Sequence, residues 1–444
     1  RVVFIPHHIS HAAASFYISG LEEAYILIVD GSGEYKCTSV LRGKGLDINE
    51  VLSFKIPHSL GWFYQGVTEF LGFIPNRHEG KTMALASYGV KNEEIENKFS
   101  KVIRLDERGS YRYDARYSFL GVHSFGKIYS DKMVEVFGMP RRHNNDISER
   151  DKSLAYYAQS ILEEAVSGIV KDISKRDDYK GNICIAGGVG LNCKMNGALA
   201  ALDCVDNIFV PPFPNDSGSA LGAALYLSKK IGFNPRRKME HAYWGPGFHE
   251  HEIERAIRLS GLKFRKDLEI EKTAARLIAE DKIVGWFQGR LEAGPRALGA
   301  RSILANPLRR WVSQHVNDKV KHREVWRPFA PAILFEDRDD YIKNSKDSPF
   351  MALSFTVSDR VREIIPAVIH VDNSTRPQFV KKDVSLRFWK LINEFKQISG
   401  VPVVLNTSFN DNEEPIVSSP AEAIKTFNSS GMDYLVMGDF IISK

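Results

Sequence analysis

Residues 24–34 read Ala24-Tyr-Ile-Leu-Ile-Val-Asp30-Gly-Ser-Gly-Glu34. The run Ala24–Val29 has the length and the β-branched and aromatic content of a buried strand. An acid at a strand's carboxyl end, followed by glycines that let a ligand approach the backbone, is the arrangement found at the binding edge of open α/β sheets. Asp30 is therefore a candidate oxygen ligand, with a turn-forming Asp-Gly as the plain alternative. Comparable runs at Arg1–Ile5, Asn182–Ile185 and Ile208–Val210 alternate with longer amphipathic stretches, Ser153–Ile173 and Ser219–Lys229. That alternation predicts an α/β fold.

Upstream of the decisive strand, Pro6-His7-His8-Ile-Ser-His11-Ala-Ala-Ala places two histidines four apart at the start of an alanine-rich helix. Side chains at i and i+4 share a helix face, so His7 and His11 can chelate one divalent ion. With 13 histidines in the chain, chance alone would supply about 0.4 such pairs, and an exposed or capping pair is the alternative. Downstream, the strand run Ile208–Val210 leads into Pro211-Pro-Phe-Pro-Asn-Asp216-Ser-Gly-Ser, where a helix should begin. Asp216 is either that helix's N-cap or a further ligand. Two histidines and two aspartates suit Fe²⁺, Mn²⁺ or Zn²⁺ better than the all-oxygen ions, and the sequence does not choose among the three.

Between those acids, Ile185-Ala-Gly187-Gly188-Val-Gly-Leu-Asn runs from a strand into glycines and then a helix. Gly187 and Gly188 are candidates to cradle phosphate on backbone N–H groups, with tight strand–helix packing as the alternative. Lys81, in Arg77-His-Glu-Gly-Lys-Thr-Met, could meet a nucleotide or hold its loop by an ion pair.

A charged, turn-rich stretch, residues 228–240, interrupts the apolar periodicity and predicts a domain boundary near residue 238, giving domains 1–238 and 239–444. The second half shows helical periodicity at His251–Ser260 and Ile270–Glu280, and strand runs at Lys282–Trp286, Phe329–Leu334, Ala352–Phe355 and Val401–Leu405. The loop Gly289-Arg290-Leu-Glu-Ala-Gly-Pro-Arg296-Ala-Leu-Gly-Ala-Arg301 packs three arginines among glycines, and Lys321, Arg327 and Arg376 precede or join strand runs. Guanidinium groups so placed present bidentate donors to phosphate. Asn406 and Ser408, in Val401-Pro-Val-Val-Leu-Asn-Thr-Ser408, fall at a strand's carboxyl end and could orient a phosphate or carbamoyl group.

The 444 residues exceed one ordinary core and suit two. Hydrophobic residues make up 43% and charged residues 26%, with no run of 18 apolar residues, which excludes a helical membrane span. The net charge of +5 is spread along interleaved charges, without the basic stripe of nucleic-acid binders. Four cysteines, Cys37, Cys184, Cys193 and Cys204, lack zinc-finger or CxxC spacing; Cys184 and Cys204 sit in strand-like runs, and a reducing cytoplasm is expected. The chain opens without methionine on a strand-like run, so an earlier start is expected.

Along essentially its whole length the chain resembles the NodU/CmcH carbamoyltransferase family, which includes tobramycin O-carbamoyltransferase. The resemblance implies an ASKHA (actin/Hsp70-like, TsaD-like) domain followed by a YrdC-like α/β domain. It implies an iron-like metal on the HxxxH pair His7 and His11 with Asp30 and Asp216, near bound nucleotide. It implies contacts of Arg296 (in the GPRALG motif), Lys321, Arg327, Arg376, Asn406 and Ser408 with ATP and carbamoyl phosphate, Mg²⁺ accompanying the nucleotide, with Arg296, Lys321 and Arg327 stabilising the reacting phosphates. It also implies that a leading segment carrying the first ASKHA strands, acceptor contacts and a general base is absent from this sequence. The expected activity is an O-carbamoyltransferase that makes carbamoyl-adenylate and transfers its carbamoyl group to a hydroxyl of a small-molecule acceptor: an antibiotic, another natural product or a nodulation oligosaccharide. No nucleic-acid or membrane partner is expected, and a homodimer is left open. The rivals are HypF-like carbamoylation of a protein cysteine, a tRNA-modifying enzyme, and a non-catalytic nucleotide-binding module.

Overall fold

The computed structural model describes residues 2–106, 110–118, 127–143 and 145–444, which fall into two compact units, Arg1–Met239 and Glu240–Lys444.

In the first unit, described strands β1 (Glu23–Gly33), β2 (Lys36–Lys44), β3 (Asp47–Lys55), β4 (Asn182–Ala186) and β5 (Asn207–Phe209) form a sheet of order β3-β2-β1-β4-β5. β1, β2 and β3 make an antiparallel meander, whereas β1 pairs in parallel with β4, from Tyr25 opposite Ile183 to Ile28 opposite Ala186, and β4 in parallel with β5. This parallel register brings the turns after β1 and β4 out side by side. Helix α1 (His7–Ser19) lies on one face, its Ala12, Ala13, Phe16 and Tyr17 packed on Ile26, Ile28, Leu41 and Cys184. α1 is buried nearly all round, which is why its pattern is alanine-rich rather than amphipathic. It ends at Gly20, whose φ of 80° is the left-handed stop that glycine favours. The later helix α5 (Ser219–Lys230) packs against α1 so closely that a Cβ on Gly222 would stand 1.8 Å from the Ser10 carbonyl oxygen. Helices α2 (Leu60–Phe70), α3 (Glu149–Ile173) and α4 (Cys193–Ala200) pack together elsewhere in the unit.

In the second unit eight described strands form one mixed sheet of order β10-β9-β11-β8-β7-β12-β13-β6: β6 (Lys263–Lys266), β7 (Val284–Phe287), β8 (Arg301–Ala305), β9 (Ala330–Leu334), β10 (Gln378–Val380), β11 (Val403–Ser408), β12 (Tyr434–Met437) and β13 (Phe440–Ser443). Apart from the charged edge strand β6, its strands are apolar on both faces. Val284, Trp286, Leu304, Val404 and Val436 pack beneath helices α7 (Ile270–Ala279) and α8 (Leu386–Ser399). Phe287, Ile303, Leu405, Leu435 and Met437 join the opposite core with α6 (Glu250–Ser260) and α9 (Pro420–Ser429). A sheet covered on both faces reads as continuous apolar runs.

The α/β expectation agrees with this mixed architecture, with local corrections. Residues 2–6 form no strand: Val2 and Phe4 are exposed and pair with no neighbouring strand, and Arg1 lies outside the described residues. Of Ala352–Phe355 only Phe355 is in a strand, the two-residue Phe355–Thr356, which meets Ser374–Thr375. Cys204 sits half-buried in a turn rather than in a strand. The hairpin β2–β3 went unread because its first strand buries Thr38 and Ser39 completely, which masks the apolar period.

Candidate functional site

The carboxyl-terminal part of β1, the turn after β5 and α1 bring four side chains to one point. His7 Nε2 lies 3.1 Å from Asp30 Oδ2, 3.1 Å from His11 Nε2 and 3.3 Å from Asp216 Oδ1. His11 Nε2 lies 3.2 Å from Asp216 Oδ1 and 3.5 Å from Asp30 Oδ2. Four donor atoms about 2.0–2.2 Å from one ion stand about 3.0–3.5 Å apart, so the cluster could hold a divalent ion. Two imidazole nitrogens facing each other at hydrogen-bond distance, each also aimed at carboxylate oxygens, have no comparably complete reading as hydrogen bonds. The donor set fits a borderline divalent ion.

The surroundings fix the shell. Asp30 Oδ1 accepts the N–H of Gly31 at 2.8 Å and of Gly188 at 3.1 Å, which leaves Oδ2 to the cluster. Burial opposes ionisation of Asp30, but hydrogen bonds from His11 and His7 outweigh it and hold the carboxyl well below its usual range. The same bond to Asp30 raises His7, against its own burial. His8, beside them, is turned away onto Ser39 Oγ at 2.7 Å, and burial pushes it down to about 4. His11 is 1% exposed and Asp30 11% at the side chain, whereas Asp216 is 73% exposed, so the shell opens to solvent on the Asp216 side.

Asp216 opens a short 3-10 turn ahead of α5 and caps no helix N–H with its side chain, which removes the capping alternative. Gly187 and Gly188 do not stand as free phosphate donors. The Gly187 N–H donates to the Pro214 carbonyl at 2.8 Å and the Gly188 N–H to Asp30, so both amides tie together the segments around the His7–His11–Asp30–Asp216 cluster. Gly187 is required there, because its φ is 88° and a Cβ would stand 2.3 Å from the Val29 carbonyl oxygen. Lys81 is buried near the start of the helix Glu79–Leu85, its ammonium 5.9 Å from the Phe73 ring centroid.

In the second unit, cations gather where a single π-helical turn, Asn317–Lys321, ends at His322 in the left-handed region (φ 41°). Such turns recur at functional sites. Lys321 is 3% exposed. Its ammonium donates to the carbonyls of Ser408 at 3.0 Å and Asn410 at 2.7 Å, and to the Asn410 side chain. Burial, then the charges of Arg323 and Arg327, push Lys321 well below the ordinary lysine value. Burial and then Arg327 push Arg323 down to about 9, still cationic at neutral pH. Arg327 is lowered by burial, and Arg376 adds to this against the pull of Glu324, 3.7 Å away. Four basic side chains thus crowd one another at a half-buried place, a standing cost that an anion would relieve. Among the described residues Arg376 has no hydrogen-bond or ion-pair partner.

Asn406 and Ser408 lie two apart on β11. Asn406 is 1% exposed, donates to the carbonyl of Ala297 and to Gln378 Oε1 at 3.2 Å each, and leaves its own Oδ1 buried and unpartnered. Arg296 is half-buried on the adjoining loop. One oxygen of buried Glu292 shapes that loop by accepting the N–H groups of Leu298 at 2.6 Å, Ala300 at 3.1 Å and Arg301 at 3.2 Å.

The loop's other two arginines do not serve an anion. Arg290 donates to the carbonyls of Gly245 and Trp244. Arg301, fully buried, donates to those of Gln288, Ala300, Pro246 and Gly289 beneath the Phe287 ring. Arg323, Asn317, Asn410 and Glu292 join these sites without a sequence motif that singles them out. Arg323 was the most accessible, two residues after Lys321, while Asn317 holds Arg323 Nε at 2.7 Å and the carbonyls of Val325 and Arg327 in a way no spacing announces.

Comparison with known proteins matches residues 1–225 to the family model described as carbamoyltransferase N-terminus and residues 275–444 to that described as carbamoyltransferase C-terminus. The chain is 35% identical to the nodulation protein NolNO of Sinorhizobium fredii, over 100% of this chain and 64% of that protein. It is 35% identical to the nodulation protein NolO of Bradyrhizobium diazoefficiens, over 99% of this chain and 78% of that protein. With an uncharacterized protein of Methanocaldococcus jannaschii the identity is 34%, over 100% of this chain and 83% of the other. The chain therefore spans just under two thirds of NolNO.

Proposed function

The chain belongs to the carbamoyltransferase family, and from that premise we propose that it is an ATP-dependent O-carbamoyltransferase with its two chemical steps divided between the two units. The observation that carries the reading is the cluster of buried Lys321 with half-buried Arg323, Arg327 and Arg376, whose mutual repulsion is answered among the facing groups chiefly by Glu324, Asp411 and Glu414. Two phosphorylated ligands held at once would need that much positive charge.

In the second unit, proposed to be YrdC-like, water cleaves carbamoyl phosphate to carbamate and phosphate. A carbamate oxygen then attacks the α-phosphorus of ATP, forming the carbamoyl-adenylate P–O bond and expelling pyrophosphate. Arg323, Arg327 and Arg376 stabilise the charge that develops on the phosphates, with Arg296 on the Glu292-shaped loop. Lys321 fixes Ser408 and Asn410, and the unpartnered Asn406 Oδ1 is an acceptor suited to the carbamoyl N–H. Exclusion of water protects carbamate and its adenylate from decomposition.

In the first unit, proposed to be of the ASKHA type in keeping with its meander-plus-parallel sheet, an acceptor hydroxyl attacks the carbamoyl carbon, the C–O bond to AMP breaks and the hydroxyl proton is released. His7, His11, Asp30 and Asp216 would hold a divalent ion, Fe²⁺ by resemblance with Mn²⁺ or Zn²⁺ as alternatives, which would supply Lewis acidity. Gly31 and Gly188 keep Asp30 aimed, and the open Asp216 side admits ligand. The acceptor class, a hydroxylated small molecule, is carried over from the family resemblance as a proposal. The test is AMP formation that requires both carbamoyl phosphate and ATP. Arg327→Ala is expected to abolish it, and unchanged turnover in that variant would overturn the assignment.

A further inference from the structure

The first unit contains a second concavity, of about 530 Å³, between the end of β3 and the two-stranded ribbon Ile103–Leu105 and Tyr111–Tyr113. Arg104 and Arg112 are direct partners across this ribbon, so both exposed side chains leave the same face, with Cβ atoms about 4.5–5.5 Å apart. Like charges directly opposite destabilise a ladder, and among the described residues neither guanidinium reaches a carboxylate. Lys55 joins them on the lining, its ammonium 5.3 Å from the Tyr35 ring centroid. Asp106 is the acid of the lining, and its Oδ1 accepts the Ser110 N–H at 2.8 Å. His58, also on the lining, meets the Tyr113 carbonyl at 3.1 Å. The next residue, Ser59, donates its hydroxyl to the carbonyls of Gly31 at 2.6 Å and Asp30 at 3.2 Å. The wall of the groove is thus tied to the carboxyl-terminal part of β1, which carries Asp30.

We propose that Arg104, Arg112 and Lys55 form a subsite for an oxyanion carried by the acceptor, a phosphate, sulfate or carboxylate on a hydroxylated molecule such as an acidic sugar. The assignment of that ligand as acceptor rests on the carbamoyltransferase reading; the oxyanion site itself does not. The paired arginines sacrifice ribbon stability for a preformed fork of donors, linked through His58 and Ser59 to the part of β1 where the acceptor's hydroxyl would react.

The test is calorimetric titration of the full chain with glucose 6-phosphate, glucuronate, inorganic phosphate and glucose, at constant ionic strength. An Arg327→Ala background weakens the competing anion site of the second unit, so the response to Arg112→Glu and Arg104→Gln reports the site of the first. Expected is binding of both sugar acids, tighter than inorganic phosphate and absent for glucose, weakened about tenfold or more by Arg112→Glu. That substitution also places an acid opposite Arg104, so the midpoint of thermal unfolding without ligand should rise, while Arg104→Gln should weaken binding without adding a new ion pair. Equal titrations for wild type and both variants, or no binding of either sugar acid, would overturn the subsite. Inorganic phosphate binding as tightly as the sugar acids would overturn the acceptor assignment. Pyrophosphate exchange into ATP, a property of the second unit, should be untouched by Arg112→Glu. If the wild type lacks that exchange, the carbamoyl reading fails while this binding stands.

Discussion

Replacing Arg327 by alanine removes one member of the cation group without emptying it, and two readouts should move in opposite directions. In the free protein Arg327 is half-buried, lowers the pKa of Lys321 and Arg323, and has Glu324 at 3.7 Å, beyond a good hydrogen bond. Its loss therefore relieves repulsion, and the unfolding midpoint without ligand should hold or rise. If ATP binds here as proposed, the same guanidinium would donate it a charge-assisted hydrogen bond worth about 1.5–3 kcal/mol. At about 1.4 kcal/mol per factor of ten that is a loss of roughly 10- to 150-fold in affinity. The side chain is 27% exposed, so the lower part of that range is expected. Titration calorimetry with ATP on the full chain, beside a thermal melt of the ligand-free variant, gives both numbers. An ATP affinity within about threefold of wild type, or a fall in the ligand-free melt large enough to explain weaker binding, would refute the idea that these cations wait for a polyanion.

Three further outcomes follow from the geometry. His11→Ala removes the most buried donor of the His7–His11–Asp30–Asp216 shell, and metal analysis of protein loaded with Fe²⁺, Mn²⁺ or Zn²⁺ should fall from one ion per chain to well below one; full occupancy would contradict the shell. Gly222→Ala drives a Cβ toward the Ser10 carbonyl oxygen, 1.8 Å away as the backbone stands, so α1 and α5 must part at a cost of about 1–3 kcal/mol, read by denaturant unfolding with a parallel loss of metal affinity. Glu292→Ala leaves three loop amides without their acceptor, and destabilisation by at least about 1–3 kcal/mol is expected, whereas Glu292→Gln, which keeps one acceptor oxygen, should lose less in the same melt.

The parts of the site that lie close along the chain were readable, and those assembled by tertiary contacts were readable only as candidates. His7 and His11 are joined by helical spacing alone. Asp30 could be placed at a strand end, but its meeting with Asp216 depends on the parallel register of β1, β4 and β5, which no local pattern encodes. Gly187 and Gly188 illustrate the limit: a glycine turn after a strand looks alike whether its amides face a phosphate or, as here, a carboxylate and a neighbouring loop. Arg301 was misread for a related reason. An arginine beside glycines suggests an anion site, yet this one is the first residue of β8 and satisfies backbone carbonyls in the core. In the second unit, burial of both sheet faces erased the two-residue period, so β12 and β13 left no separable signal.

The division of labour between the units is most directly tested by exchange of labelled pyrophosphate into ATP in the absence of any acceptor. Reversible formation of carbamoyl-adenylate predicts exchange that requires carbamoyl phosphate, disappears in Arg327→Ala and persists in His11→Ala, whose lesion lies in the other unit. Exchange that fails in the wild type, survives Arg327→Ala or is lost with His11→Ala would contradict the account.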